Sequence, residues 1–325
     1  MYFLDKASRD PYFNIALEEF VLKQSDKDIF MLWENSPSLI VGKHQNPYQE
    51  VEPSCLLAEE VPVIRRISGG GTVFHGEGNL NYTFITSSKN GDDKINFGKY
   101  TQPIIQFLNN AGVPAAMTGK SNLTVNGLKF SGNAAHVFKN RSIHHGTLLF
   151  DADLNQIKNY LRPESEHIHS RAVSSIRAKV TNLKPLLANM DVKYFRDEMQ
   201  KSVLQHFGDE GIFELSAGEL QQIHKLNESK YKTAEWNFGY SPDYTIENTL
   251  DIADFKANFQ LKVNKGTIST VKLSTDNNTI LSKEIEQALA GKFHFPKEMR
   301  TALESLLNAH NISKTEQYKL ITQFF

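Results

Sequence analysis

The chain has 325 residues, 40% of them hydrophobic and 22% charged, a composition that excludes dominant disorder and allows one large domain with a smaller companion. Basic residues number 36 and acidic ones 37, so no global field gathers nucleic acid or an anionic membrane, and any anion site must be local. A single cysteine, Cys55, excludes a disulfide framework and a Cys-rich zinc site; with no secretory pattern at Met1 and no apolar run of membrane-spanning length, the expected location is cytoplasmic.

In chain order, residues 14–22 carry apolar residues at helical spacing around Glu18 and Glu19 and predict an amphipathic helix. Aromatic and β-branched runs at Ile29–Trp33, Ser38–Val41, 61–64, 72–74 and 81–85 predict strands separated by turn formers. A helix over 99–110 ends near Gly112 and Pro114. Leu123-Thr124-Val125 and Leu128-Lys129-Phe130 flank Asn126-Gly127, a strong hairpin signal because both turn positions need positive φ, which puts Lys129 just past a tight turn. Residues 147–150 predict another strand, and Leu154–Tyr160 and 194–207 predict helices. Strands and helices mix rather than alternate, so the fold class is α+β rather than a doubly wound sheet.

Glu235-Trp236-Asn237-Phe238-Gly239 closes this part, and Tyr240-Ser241-Pro242-Asp243 has the turn chemistry of a linker. A boundary is expected near residue 246, giving units of 1–246 and 247–325. In the second, Phe259, Leu261 and Val263 alternate before Asn264-Lys265-Gly266, with Ile268 and Val271 beyond, which predicts a hairpin or meander. Helical patterns follow over 283–290, 296–308 and 313–324.

The most informative stretch runs from Arg65 to Asn79. Gly69, Gly70 and Gly71 let the backbone approach a ligand and turn N–H groups inward as an anion nest, and Arg66 adds a planar, permanently charged donor. The pattern is not a P-loop, because Gly-x-x-x-x-Gly-Lys-Ser/Thr is missing. Taken alone, three glycines also fit a flexible turn between strands, and His75 alone fits a structural hydrogen-bonding role. Lys129 on a strand fits either a solvent-facing side chain or a fixed ammonium that holds a carboxylate against an α-phosphate. His144 and His145 point to opposite faces of a strand, so the pair is a poor metal site; one is expected to line a pocket and the other to face solvent. Asp151 and Asp153 are expected to be surface or capping residues, and no cluster has metal-ligand spacing.

Together, Arg-Arg-Ile-Ser-Gly-Gly-Gly-Thr-Val-Phe-His from Arg65, Lys-Phe-Ser-Gly-Asn-Ala from Lys129 and His-His-Gly-Thr-Leu-Leu from His144 resemble the lipoate–protein ligase family of the biotin/lipoate ligase superfamily. Asp10-Pro11-Tyr12-Phe13-Asn14 with Glu18-Glu19, Gly42-Lys43-His44-Gln45-Asn46-Pro47, Val180-Thr181-Asn182-Leu183 and Glu235 to Gly239 extend the resemblance over residues 1 to about 246. It implies a mixed-sheet catalytic domain like those of biotin ligases and class II aminoacyl-tRNA synthetases, and a small α/β accessory domain. It also implies two half-reactions: lipoate with ATP and Mg²⁺ gives lipoyl-AMP, which then acylates a lysine of an E2 lipoyl domain of a 2-oxoacid dehydrogenase or of glycine-cleavage H protein.

On this resemblance Lys129 contacts the carboxylate and phosphate and is the catalytic residue. Arg66, Ser68, the glycines 69–71 and the backbone at Thr72 and Val73 border the adenylate. Trp33, His75 and His145 line the lipoyl or adenylate pocket, Asn79 lies near the phosphates, and Ser131 and Gly132 belong to the lysine motif. The chain departs from the family at Lys120-Ser121-Asn122, where Asn122 replaces an aspartate expected near the lysine and metal, and at His136, where an arginine is common. Two other readings are an ATP-independent lipoyl or octanoyl transferase, which requires a nucleophilic cysteine that Cys55 does not supply within any motif, and a non-catalytic lipoate or lipoyl-domain binder, against which the retained Lys129 stands.

Overall fold

The computed structural model describes residues 1–325 except 6–7, 59–60, 88–94, 163–166, 188–189 and 253–254. Its elements in chain order begin with β1 (Tyr2–Phe3), α1 (Pro11–Gln24), β2 (Ile29–Trp33), β3 (Ser38–Val41), α2 (Pro47–Glu50), α3 (Pro53–Ala58), β4 (Val63–Arg65), β5 (Val73–His75) and β6 (Asn79–Ser87). Next come α4 (Phe97–Asn110), β7 (Ala115–Thr118), β8 (Asn122–Val125), β9 (Leu128–Phe138), β10 (Arg141–Leu149), α5 (Leu154–Tyr160), β11 (Ile168–Ser170), α6 (Val192–Phe207) and α7 (Ala217–Leu226). The chain finishes with β12 (Tyr244–Ile252), β13 (Phe255–Asn264), β14 (Thr267–Ser274), α8 (Thr279–Leu289), α9 (Pro296–Ala309) and α10 (Lys314–Thr322).

A seven-stranded mixed sheet in the order β1-β2-β6-β10-β9-β8-β7 carries the site, and a three-stranded sheet, β4-β3-β5, stands beside it. The architecture is α+β, as the mixed element order predicts. Helix α1 starts where Asp10 accepts from Tyr12 N and Pro11 takes the first turn. It starts earlier than periodicity predicts and is buried around most of its circumference, because the seven-stranded sheet packs on one side and α7 on the other. Glu18 and Glu19 are thereby taken out of water.

Asn126 and Gly127 have φ of 50° and 78°, the turn that joins β8 to β9. Strand β9 runs eight residues beyond the predicted end at Phe130, since Phe138 closes it, and β10 starts at Arg141 rather than 147. Asn133 pairs with Gly146 and Ala134 with His145. Serine, glycine, asparagine and alanine have weak strand preference, so the pairing with β8 and β10 makes this stretch a strand.

Strands β12 to β14 pair antiparallel, and β13 alternates inward Phe255, Ala257, Phe259, Leu261 and Val263 with outward polar residues, as period two requires. β11 adds to this sheet by pairing with β12. One hydrophobic core joins Leu39, Val41 and Phe74 to Ile246, Leu261, Leu303 and Phe324, so residues on both sides of position 246 pack together. No helix among the described residues is long and apolar enough to cross a membrane.

Candidate active site

Two cavities meet at Lys129. The smaller, about 320 Å³, is walled by Ile15, Trp33, Ile40, Val73 and Ala134, with His75, Asn81 and His145 among them. The larger, about 800 Å³, is walled by Phe74, Leu149, Leu154 and Ile157 and by the cations Lys158, Arg162, Arg177 and Lys179. Thr72, Lys129, Gly132, Thr147 and Ser175 belong to both walls.

Lys129 is held by its backbone, which donates to Lys179 O and accepts from Thr181 N, both at 2.9 Å. A β-carbon at Gly132 would stand 2.9 Å from Lys129 Nζ, so the glycine leaves room for the ammonium to fold back along β9. The side chain is half-buried, and among the described residues its ammonium has no hydrogen-bonded or ion-pair partner. Burial pushes its pKa below that of a free lysine. A desolvated cation without a counter-charge is costly, and a bound anion removes that cost.

The glycine loop is shaped from beneath. Arg66, fully inside the protein, donates from Nε to Ser68 Oγ at 3.0 Å, from Nη1 to Ile40 O at 2.9 Å, and from Nη2 to Gly69 O at 2.7 Å and Gly71 O at 2.8 Å. Three of its five donors thus hold the loop and a fourth holds β3, which leaves one Nη1 N–H without a bond among the described residues. Desolvation lowers its pKa to about 10 against the pull of Glu18 and Glu50, and it stays charged at neutral pH. Gly70 has φ +88°, and a β-carbon at Gly42 would stand 2.0 Å from Gly70 O, so both positions exclude side chains.

From this loop a polar chain runs inward. Ser68 Oγ lies 2.6 Å from His145 Nε2, His145 Nδ1 lies 2.9 Å from Glu18 Oε1, and Glu18 accepts from Thr83 Oγ1 at 2.5 Å. Trp33 Nε1 donates to Thr83 Oγ1 at 2.9 Å, which fixes the indole against the smaller cavity. Beside Trp33, whose ring meets that of His75 edge-on at 5.9 Å, Asn35 Nδ2 donates to His75 Nδ1 at 3.0 Å, so the neutral ring carries its proton on Nε2. Burial first, then Arg66 and His145, push the His75 pKa down to about 3, and the ring is neutral at physiological pH.

Residues 171–180 cross the mouth as a strap. Ser175 Oγ accepts from Thr72 N at 2.9 Å and from Gln45 Nε2 at 3.0 Å and donates to Glu50, whose other oxygen accepts from Ser175 N. The Thr72 N–H, expected to face a ligand, is therefore bonded to the strap. Val173 and Ile176 on this strap are 52% and 94% exposed.

Of the residues expected at the site, the structure puts Trp33, Arg66, Gly70, Gly71, His75 and His145 on the smaller cavity, Asn79 and Ser131 on the larger, and Thr72, Val73, Lys129 and Gly132 on both. Ser68 and Gly69 lie behind the wall and support Arg66. His144 is corrected: expected in solvent, it is buried on the far face of β10, where Tyr100 of α4 covers it at 4.3 Å. Asp153 caps α5 and Asp151 pairs with Lys184 on the surface.

A scan of family models matches residues 10–207 to the lipoyl protein ligase A/B catalytic domain. Lipoate–protein ligase 1 of Staphylococcus aureus is 34% identical over 318 residues, 96% of each chain. The chain belongs to the lipoate–protein ligase family.

The fold agrees. The bipartite lipoate protein ligase of Thermoplasma acidophilum, described with its E2 lipoyl domain, matches with TM-score 0.65 and 20% identity over 74% of this chain and 96% of that one. A lipoate-protein ligase A bound with ATP matches with TM-score 0.63 and 20% identity over 74% and 98%. Within this ligase, Glu18, Gln45, Glu50, Thr83 and Ser175 are site-supporting residues that motif reading did not assign. Only Glu18 and Gln45 lay inside family-like stretches; Glu50, Thr83 and Ser175 gave no local signal.

Mg²⁺ takes oxygen donors, usually carboxylates together with phosphates. Among the described residues neither cavity wall contains Asp or Glu, and no group of three or more His, Cys, Asp and Glu can hold a metal ion. The walls offer neutral amide oxygens such as those of Asn79 and Asn122, which do not fit a resident Mg²⁺.

Proposed function

We propose that the protein activates lipoate with MgATP to lipoyl-AMP and transfers the lipoyl group to a lysine of an E2 lipoyl domain or of glycine-cleavage H protein. The smaller cavity, which Ile15, Ile40 and Val73 help to wall, takes the acyl chain, with Trp33, His75 and His145 around it. The larger takes the nucleotide, with Lys158, Arg162, Arg177 and Lys179 facing the phosphates and Mg²⁺ arriving on those phosphates as part of the substrate. The observation that carries this reading is the half-buried ammonium of Lys129, without a partner among the described residues, on the wall common to the two cavities, the larger of which is ringed by cations.

In the first half-reaction a carboxylate oxygen of lipoate attacks the α-phosphorus and pyrophosphate leaves, while Lys129 and the one spare Arg66 N–H stabilise the negative charge between the two reactants. In the second, the carrier amine attacks the acyl carbon and AMP leaves. Residues 69–73, Asn79, Ser131 and Gly132 border the adenylate in this reading. Residues 1–246 form the catalytic unit and 247–325 the accessory one, and the reaction takes place in the cytoplasm, where lipoyl carriers and reduced thiols coexist.

The test is exchange of labelled pyrophosphate into ATP, which is expected only when lipoate is present. Failure of soluble, folded protein to exchange label sinks the reading. An ATP-independent transferase is not supported, because Cys55 sits on α3 and lines neither cavity.

A further inference from the structure

A donor without an acceptor among the described residues lies in the wall of the smaller cavity. Asn79, Asn81 and Thr83 share one face of β6, since side chains alternate along a strand. Asn81 stands opposite Trp33 of β2 and Thr147 of β10. Thr147 Oγ1 accepts from Gly132 N at 3.3 Å, the glycine over which Lys129 Nζ lies. Asn81 is therefore beside the junction of the two cavities.

Asn81 is 1% exposed, and its Oδ1 accepts from Asn79 Nδ2 at 3.0 Å. Its own Nδ2, like the Oδ1 of Asn79 at the other end of this bonded pair, is buried with no hydrogen-bond partner among the described residues. Buried amide donors are almost always paired, and an orphan beside a ligand cavity is explained by an acceptor that the ligand brings. The strong acceptors of lipoate are its two carboxyl oxygens, which must reach Lys129 for adenylation. An oxygen in that place also selects the amide with N–H toward it, because the reversed amide would set carbonyl against carboxylate. The χ2 torsion of asparagine is broad, so the amide of this cavity-lining residue can turn to meet an acceptor.

We infer that Asn81 is a catalytic residue of the transfer half-reaction, its Nδ2–H binding the acyl oxygen that becomes an oxyanion. This rests on the acyl-adenylate reading above. The carrier amine lone pair forms the C–N bond, and the C=O π pair moves onto the oxygen held by Asn81 and Lys129. The carbonyl re-forms as the C–O bond to AMP breaks with its electron pair, and the amine proton leaves to water. Nothing is oxidised or reduced.

Asn81→Asp keeps the shape and the acceptor for Asn79 but has no N–H; Asn81→Ala removes the side chain. Transfer from preformed lipoyl-AMP to an apo lipoyl domain, measured in single turnover, is expected to slow roughly 10²-fold in both variants, the usual effect of losing one oxyanion donor. The KM for ATP in pyrophosphate exchange is expected to hold within about twofold, which general structural damage would not leave intact. Transfer within about threefold of the parent overturns the inference. If the parent itself shows no lipoate-dependent exchange, the ligase reading fails instead, and this one with it. A crystal structure of the parent protein with lipoyl-AMP decides the matter without variants: Asn81 Nδ2 within about 3.2 Å of the acyl oxygen supports the assignment, and a separation beyond about 4 Å overturns it.

Discussion

The two cavities that meet at Lys129 are built by opposite means. The smaller is cut into the central strands and α1, where Glu18, Thr83, Trp33, His145 and Ser68 hold one another through hydrogen bonds within the protein. The larger is walled by α5 and by the strap, and its cations Lys158, Arg177 and Lys179 reach from partly or fully exposed positions. A wall of mutually bonded side chains selects by shape, whereas a wall of long flexible cations selects by charge and adapts to a phosphate chain. Lys129 stands on the common wall, where in the proposed reaction it couples acyl recognition to phosphoryl chemistry.

Substitutions break this contrast in graded steps. Lys129→Ala, which removes the cation common to both sides, is expected to lower lipoate-dependent pyrophosphate exchange on the order of 10³-fold or more. Because burial lowers the Lys129 pKa and the protonated form is the active one, the alkaline limb of the pH–rate profile in the parent is expected below the pH at which a free lysine titrates. A profile whose limb lies at or above that of free lysine would remove this role for burial.

Arg177→Ala combined with Lys158→Ala acts on the cationic wall alone. The KM for ATP is expected to rise roughly tenfold, with a weaker dependence on salt than the parent, while lipoate affinity by calorimetry stays near its parent value. A matching loss of lipoate affinity would show that the walls are not independent.

Glu18→Gln acts on the other wall. It takes the counter-charge from near Arg66 and alters the bond to His145, so the lipoate KM is expected to rise severalfold and stability to fall by about 1–3 kcal/mol in denaturant unfolding. An unchanged KM with lowered stability would make the chain from Glu18 to Ser68 purely structural. The smallest effect is expected for Cys55→Ser, with both half-reactions within about twofold of the parent; loss of transfer alone would revive a cysteine nucleophile.

Much of the frame was legible locally. Ile29–Trp33, Ser38–Val41 and Leu154–Tyr160 match the elements read from residue patterns, and Asn126-Gly127 announced the hairpin that delivers Lys129. Helix α7 escaped notice although Ser216 and Glu219 form a capping box, a signal present in the residues themselves. The long run of β9 and the burial of His144 had no such signal, because each depends on what another segment lays against it.

Residue type and order alone determined the α+β class, the glycine loop with its arginine, the lysine past a tight turn and the family, because these follow from backbone freedom, periodicity and motifs along the chain. Tertiary structure alone decided that Arg66 spends most of its donors on the loop, that Ser175 and Glu50 tie the strap down, and that Glu18 stands behind His145. Those facts depend on distances between segments remote in sequence and on how water is excluded between them, and neither quantity is carried by any one stretch of residues.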